Sequence, residues 1–263
     1  MSHGICKLCL RKTELQNNHL IPAAVSKALR GTYRSIPGPV ATTPHVTIAG
    51  VRDIRAPLLC RACEERFNRN GENWVLKRMS KGGGFPLLER LELAMPIRQD
   101  ADGTVFSGPA IGVSTNKLAY LAVSMLWRSV AYDWRSADGT STVTDIGPFQ
   151  EECRRYLMGQ IAFPADLYVV VVVCSDGLSQ GSAHQLAELE LPFKAYSFLM
   201  CGIFFAIFLG KDVPQYERDK CCFTSPTQPI FLEDRSAQGM RILQRLYKTS
   251  RLTRSIRKSM GQA

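Results

Sequence analysis

The sequence predicts an α+β protein, and three patterns in its 263 residues point to that class. Two Cys-x-x-Cys pairs occur within the first 81 residues, a spacing typical of a small metal-bound module. Residues Leu167–Cys174 form an uninterrupted, mostly β-branched run, which is typical of a buried strand. Residues 117–135 place apolar side chains at helical spacing. We therefore expect an N-terminal module followed by a mixed, mostly antiparallel sheet with flanking helices.

The first segment, residues 1–81, is predicted to be a module of its own. Residues 31–57 are rich in Pro, Gly and Thr and have the composition of an extended loop. A helix is predicted over 61–79, where apolar residues recur at roughly helical intervals. The glycines at 82–84 end that helix and mark the module boundary.

The rest of the chain is predicted to form an α+β domain over 82–240 and a basic helix or tail over 241–263. Helices are expected at 117–135 and 149–159, a strand at 167–174, and a buried strand or hairpin within 195–210. The segment 195–210 is the most apolar of the chain, but it is too short to span a bilayer as a helix. We expect it to be core, with no membrane partner. The N-terminus has no signal-peptide pattern, so the predicted compartment is the cytoplasm.

Four cysteines indicate a structural zinc site. Cys6 and Cys9 form one Cys-x-x-Cys pair, and Cys60 and Cys63 form the other. Two such pairs supply four thiolates, which is the ligand set of a closed tetrahedral zinc centre. Buried or redox-active thiols are the alternative. That alternative leaves unexplained how a segment so poor in core residues folds, whereas a bound metal stabilises such a segment directly.

Around these cysteines the chain resembles the zinc-stabilised branch of the HNH endonucleases, which have a ββα-metal, treble-clef fold. The matching stretches are CKLC, NHLIP and LLCRACEERFN, within residues 5–80. The resemblance implies a treble-clef module and a metal-dependent nuclease that hydrolyses phosphodiester bonds in DNA, with RNA as a second substrate class. A defence role in bacteria or phages would fit the resemblance.

The resemblance also implies catalytic roles for particular residues. His19 matches the histidine that acts as general base, and Asn18 precedes it where the family usually has a metal-binding Asp or Glu. Glu64 follows the last cysteine where the family often has Asn, and Asn68 lies one helical turn further on. Glu72 extends the same helix face by another turn. Mg²⁺ or Mn²⁺ is the catalytic ion of the family.

The sequence departs from the family at two places, and these departures favour a second hypothesis. Asn18 is neutral, and the loop between Leu20 and Leu59 contains no Asn for the middle position of the family motif. His45 is the other imidazole in that loop and the next candidate for the base. The alternative function is a non-catalytic zinc module that binds nucleic acid, or a subunit whose 82–240 domain binds another protein.

The charge distribution predicts a nucleic-acid partner, and the family resemblance implies DNA more than RNA. Residues 1–81 carry 14 Lys and Arg against 5 Asp and Glu, and residues 241–263 carry 7 against none. Basic ends of this kind suit a polyanion. Five arginines bracket the second cysteine pair and are candidates for phosphate contacts: Arg52, Arg55, Arg61, Arg66 and Arg69.

Overall fold

The computed structural model describes residues 2–32, 40–42, 46–49, 54–100, 103–135, 145–241 and 251–252. The strands are β1 (Ser2–Ile5), β2 (Lys12–His19), β3 (Val40–Thr42), β4 (Val46–Ala49), β5 (Arg55–Leu59), β6 (Arg98–Asp100), β7 (Gly103–Ser107), β8 (Leu167–Cys174), β9 (Ala183–Glu188), β10 (Lys194–Met200), β11 (Ile203–Leu209), β12 (Pro229–Glu233) and β13 (Arg251–Leu252). The helices are α1 (Ala23–Thr32), α2 (Arg61–Phe67), a π-helix (Asn68–Glu72), α3 (Asn73–Val75), α4 (Pro86–Glu92), α5 (Thr115–Val130), α6 (Phe149–Leu157), α7 (Gly177–Gln180) and α8 (Gln215–Arg218).

A three-stranded antiparallel sheet, in the order β1–β2–β5, forms the N-terminal part. β2 pairs with β5 so that His19 lies opposite Arg55, and the register shifts between Gln16 and Asn17. α2 begins immediately after β5, with Cys60 as the residue between them. The predicted helix over 61–79 is present as far as Val75, but a π-helical turn interrupts it. A second small sheet consists of β13, β4 and β3.

The large sheet has seven strands in the order β6–β7–β12–β8–β11–β10–β9. All neighbouring strands are antiparallel except β8 and β12, which are parallel. Every residue of β8 is buried, as its β-branched sequence predicts. The chain is therefore a mixed α+β protein, and this part of the predicted fold class is confirmed.

The apolar segment 195–210 forms most of the hairpin β10–β11. Cys201 and Gly202 make its two-residue turn, and both have positive φ, at 44° and 88°. Two successive positive φ angles match the right-handed twist of the paired strands. A Cβ at Gly202 would lie 2.5 Å from a ring carbon of Phe85, so that position requires glycine. In the described part of the chain, no helix has the length and apolar character needed to cross a membrane.

Helix α5 is the central element of the core, and nearly all of its residues are buried. One continuous hydrophobic cluster contains Leu58 and Phe67 from the N-terminal part together with Leu121 and Val171 from the rest of the chain. The boundary after residue 81 stays a prediction. Residues 236–241 are helical and Arg251–Leu252 pair with β4. The rest of the predicted basic tail lies outside the described residues.

Candidate functional site

The four predicted zinc ligands lie together. Cys6 and Cys9 occupy the turn between β1 and β2, and Cys60 and Cys63 occupy the start of α2. The four sulfur atoms all lie within 4.8 Å of one another. The sulfurs of Cys9 and Cys60 are 3.9 Å apart. That distance is close to the edge of a tetrahedron, about 3.8 Å, which zinc–sulfur bonds of about 2.3 Å would give.

Backbone hydrogen bonds shape the first cysteine turn. The N–H of Leu10 donates to the carbonyl of Cys6 at 2.8 Å, and the N–H of Cys6 donates to Arg11 at 3.0 Å. Leu10 has a φ of 62°, which reverses the chain within one turn. The backbone N–H of Cys60 donates to the sulfur of Cys6 at 3.3 Å, so the two pairs are joined before any metal is considered. The turn directs both of its sulfurs at the start of α2.

The electrostatics of the cluster fit a divalent cation. A hydrogen bond from the Cys63 thiol lowers the pKa of Cys6 to about 4. The same hydrogen bond, together with burial, raises the pKa of Cys63, and burial raises that of Cys60. Thiolates this close to one another repel, and a zinc ion is what would allow all four to be ionised. In the described residues, no other group of three His, Cys, Asp or Glu side chains converges in this way.

Asn18 and His19 form the end of β2. Asn18 is only 3% exposed, and its side-chain oxygen accepts a hydrogen bond of 2.7 Å from the backbone N–H of Leu59. The family resemblance predicts this oxygen to be a metal ligand, and in the structure it already accepts a hydrogen bond from the backbone. His19 is half-buried, and it lies opposite Arg55 in the register of β2 and β5.

Glu64 lies in the first turn of α2, facing the end of β2. Its carboxyl group is half-buried and lies close to the Asn18 side chain. Burial raises the pKa of the Glu64 carboxyl, the charge of Glu72 raises it further, and Arg128 and Asn18 lower it. The structure therefore brings the strand residue and the helix residue of the predicted site into contact.

The predicted helix face of Glu64, Asn68 and Glu72 is altered at its far end. Asn68 begins the π-helix and is half-buried. Glu72 ends the π-helix, is buried, and forms a 2.5 Å ion pair with Arg128 of α5. Arg128 was not among the predicted site residues. The one signal for it was a charged residue within an otherwise apolar helix pattern.

The predicted phosphate-binding arginines fall into different environments. Arg55, Arg61 and Arg69 are exposed, although Arg61 also pairs with Glu65 at 2.9 Å. Arg66 is half-buried and donates to the carbonyl of Met158 at 3.3 Å, so it contributes to packing between segments. Arg52 lies outside the described residues, as does His45.

An open groove of about 590 Å³ lies beside the cysteine cluster. Three cations, Arg11, Lys12 and Arg61, line it together with Glu14 and Cys60. A hydrogen bond to Cys9 raises the pKa of Arg11, so this guanidinium also faces the cysteine cluster. Arg11 and Lys12 were not among the predicted binding residues. Their position directly after the first cysteine pair was the available signal.

The fold and the site together define an α+β protein with a four-cysteine cluster that could hold a metal ion, beside a basic groove. The chain matches no protein-family model, no curated protein and no solved structure.

Proposed function

We propose that this protein is a metal-dependent endonuclease of the HNH type, which hydrolyses phosphodiester bonds in DNA on a zinc-bound treble-clef module. One observation carries the proposal. β2 ends at His19, β5 pairs with β2, and α2 follows β5 with Glu64 close enough to Asn18 for the Asn18 side chain to lower its pKa. Two strands and a helix in this order are the arrangement expected of a ββα-metal site, and the cysteine cluster holds the helix start against the first strand turn.

In this proposal His19 is the general base. Its neutral imidazole takes a proton from a water molecule while the water oxygen bonds to phosphorus and the bond from phosphorus to the leaving oxygen breaks. An imidazole suits this role because its ordinary pKa lies near neutral pH. The leaving oxygen takes its proton from solvent.

Glu64 is the residue that would hold a divalent ion. Mg²⁺ is commonly bound by one or two carboxylates, with waters and substrate phosphates as its remaining ligands. Glu64 supplies one half-buried carboxylate beside the end of β2, which is enough for this kind of magnesium binding. The ion would supply charge stabilisation for the transition state.

The basic groove supports nucleic acid as the partner. Arg11, Lys12 and Arg61 line an open surface beside the four cysteines, and exposed Arg55 lies opposite His19 in the strand register. Phosphate contacts of this kind position a nucleic acid without reading its sequence. We therefore expect weak sequence preference, and we expect DNA to be cleaved in preference to RNA.

The test is nicking of supercoiled plasmid with Mg²⁺, with Mn²⁺ and with EDTA. We expect cleavage by the wild type only with a divalent ion, and a loss of about 10²–10⁴-fold in rate for His19→Ala. His3→Ala is the matched control, because His3 is an exposed imidazole on β1 of the same sheet. Equal cleavage by His19→Ala, at unchanged zinc content, would rule out His19 as the base.

A non-catalytic nucleic-acid-binding module is the second candidate, and one observation favours it. The Asn18 oxygen is engaged by Leu59, and Glu72 is paired with Arg128, so two polar groups near His19 have structural partners. In that case the wild type would bind DNA in a salt-dependent manner and cleave neither DNA nor RNA with any divalent ion. Binding measured in the same buffers as the nicking assay separates the two candidates.

A further inference from the structure

Arg128 is a buried cation that reaches from helix α5 to the end of β2. It lies near the C-terminal end of α5 and is 5% exposed. Its backbone carbonyl accepts a 2.7 Å hydrogen bond from the indole N–H of Trp134, which fixes the end of the helix. The guanidinium lies 5.3 Å from the centre of the Phe67 ring, at the end of α2.

The two terminal nitrogens of Arg128 have different partners. Nη1 donates to the carbonyl of His19 at 3.1 Å and to that of Leu20 at 3.4 Å. Nη2 donates to the carboxylate of Glu72 at 2.5 Å. One planar side chain therefore links the strand end that carries His19 to the helix that begins at the cysteine cluster. The fixed fork of a guanidinium suits such a geometry, and an ammonium group does not reproduce it.

The π-helix places Glu72 opposite Arg128. A Cβ at Gly71 would lie 3.0 Å from the backbone nitrogen of Leu121 and 3.2 Å from the carbonyl oxygen of Lys117. The π-helix therefore packs closely on the backbone of α5, and any side chain at position 71 would make a tight contact there. π-helical turns are frequent at functional sites. Here the π-helical turn buries Glu72 beside Arg128, and the Glu72 carboxylate neutralises this guanidinium. The same guanidinium donates to the His19 carbonyl at the end of β2.

We propose that Arg128 is a positioning residue for His19, and that α5 thereby sets the alignment of the base at the N-terminal site. This proposal rests on the proposed nuclease function, and it gives residues 82–240 a role in that function. Arg128 does not touch the substrate. It fixes the backbone at His19 and Leu20 and, through it, the direction of the imidazole.

Arg128→Lys tests the proposal because it retains the buried positive charge beside Glu72 and loses the fork. We expect kcat to fall about 10²-fold with KM unchanged, since a small misplacement of a reacting group costs about that much. We also expect the His19 imidazole resonance to shift in spectra of histidine-labelled protein. The chain has 4 histidines, so the resonance can be assigned with His19→Ala.

Arg154→Lys is the matched control. Arg154 of α6 also joins the second half of the chain to the N-terminal part, since its Nη1 donates to the carbonyl of Leu8 at 2.8 Å, in the cysteine turn. We expect this variant to leave kcat and the His19 resonance unchanged. An equal loss of kcat in both variants would overturn the proposal, because general packing on the N-terminal part would then explain the effect.

Two further results complete the test. An unchanged kcat and an unchanged His19 resonance in Arg128→Lys would also overturn the proposal. If Arg128→Lys does not fold, the double variant Glu72→Gln with Arg128→Met removes both charges together and leaves no buried charge unpaired. It is expected to give the same resonance shift. If the wild type cleaves nothing, the proposed function fails, and the resonance alone decides whether Arg128 positions His19.

Discussion

The side-chain oxygen of Asn18 accepts a hydrogen bond from the backbone N–H of Leu59, at 2.7 Å, where the pairing of β2 and β5 slips by one residue. Pro57 lies at this slip and has no N–H to offer the ladder. The Asn18 amide thus replaces a backbone partner. Because Leu59 precedes Cys60, the same bond ties the strand end at His19 to the second cysteine pair.

Asn18→Ala is expected to lower the free energy of unfolding by about 1–3 kcal/mol, because it leaves the buried N–H of Leu59 without its acceptor. Asn17→Ala, the same substitution at the exposed neighbouring position, should change it by less than about 0.5 kcal/mol. Urea denaturation of zinc-loaded protein measures both. Equal stabilities would show that the Asn18 bond contributes little.

The parts of the fold and site that depend on local pattern could be predicted from the sequence. Within each cysteine pair, a short turn brings the two sulfurs together. Leu167–Cys174 is a buried strand because its β-branched residues favour strands. The hairpin at 194–209 follows from an apolar run divided by Cys201 and Gly202, two residues that can adopt positive φ in this turn. The strand and the hairpin required no knowledge of a distant partner, and the two distant cysteine pairs could be joined because a shared metal ion was inferred.

The parts that depend on distant partners could not be predicted. The regular helix expected through Glu64, Asn68 and Glu72 gives way to a π-helix because Gly71 packs on the backbone of α5. Glu72 is buried only because Arg128, far along the chain, neutralises it. Helical spacing alone contains no information about either contact, and so the cation that donates to the His19 carbonyl was missed.

Zinc removal should unfold the N-terminal part. We expect one zinc per chain, and we expect Cys60→Ser to lose it, because metal binding supplies much of the folding free energy of such a module. Cys174→Ser is the control: Cys174 lies at the end of β8, and its sulfur has the carbonyl of Val172 as an acceptor at 4.0 Å. Elemental analysis of both variants decides. Full zinc occupancy in Cys60→Ser would contradict the assignment of the site.

The groove beside the cysteines should contribute to salt-dependent binding of DNA. Each phosphate contact contributes about −0.9 to the slope of log K against log salt on duplex DNA. Lys12→Gln, in the groove, should make the slope shallower by about that amount, whereas Lys211→Gln, at an exposed position in the second half of the chain, should leave it unchanged. Fluorescence anisotropy at several salt concentrations measures the slope. An equal effect of both variants would indicate diffuse attraction instead of a groove.

The last prediction separates cleavage from binding at the neighbouring acids Glu64 and Glu65. Glu64 is half-buried beside Asn18, whereas Glu65 is exposed and paired with Arg61. Glu64→Gln keeps the size of the side chain and removes the charge that would hold a divalent ion. We therefore expect it to cleave plasmid slowly and to require more Mn²⁺ for half-maximal rate, while Glu65→Gln cleaves like the wild type. DNA binding should be equal in all three proteins, because the groove cations are untouched.

If Glu64→Gln cleaves at the wild-type rate across the whole Mn²⁺ titration, Glu64 does not hold the ion. If the wild type binds DNA but none of the three proteins cleaves it, the module binds nucleic acid without hydrolysing it.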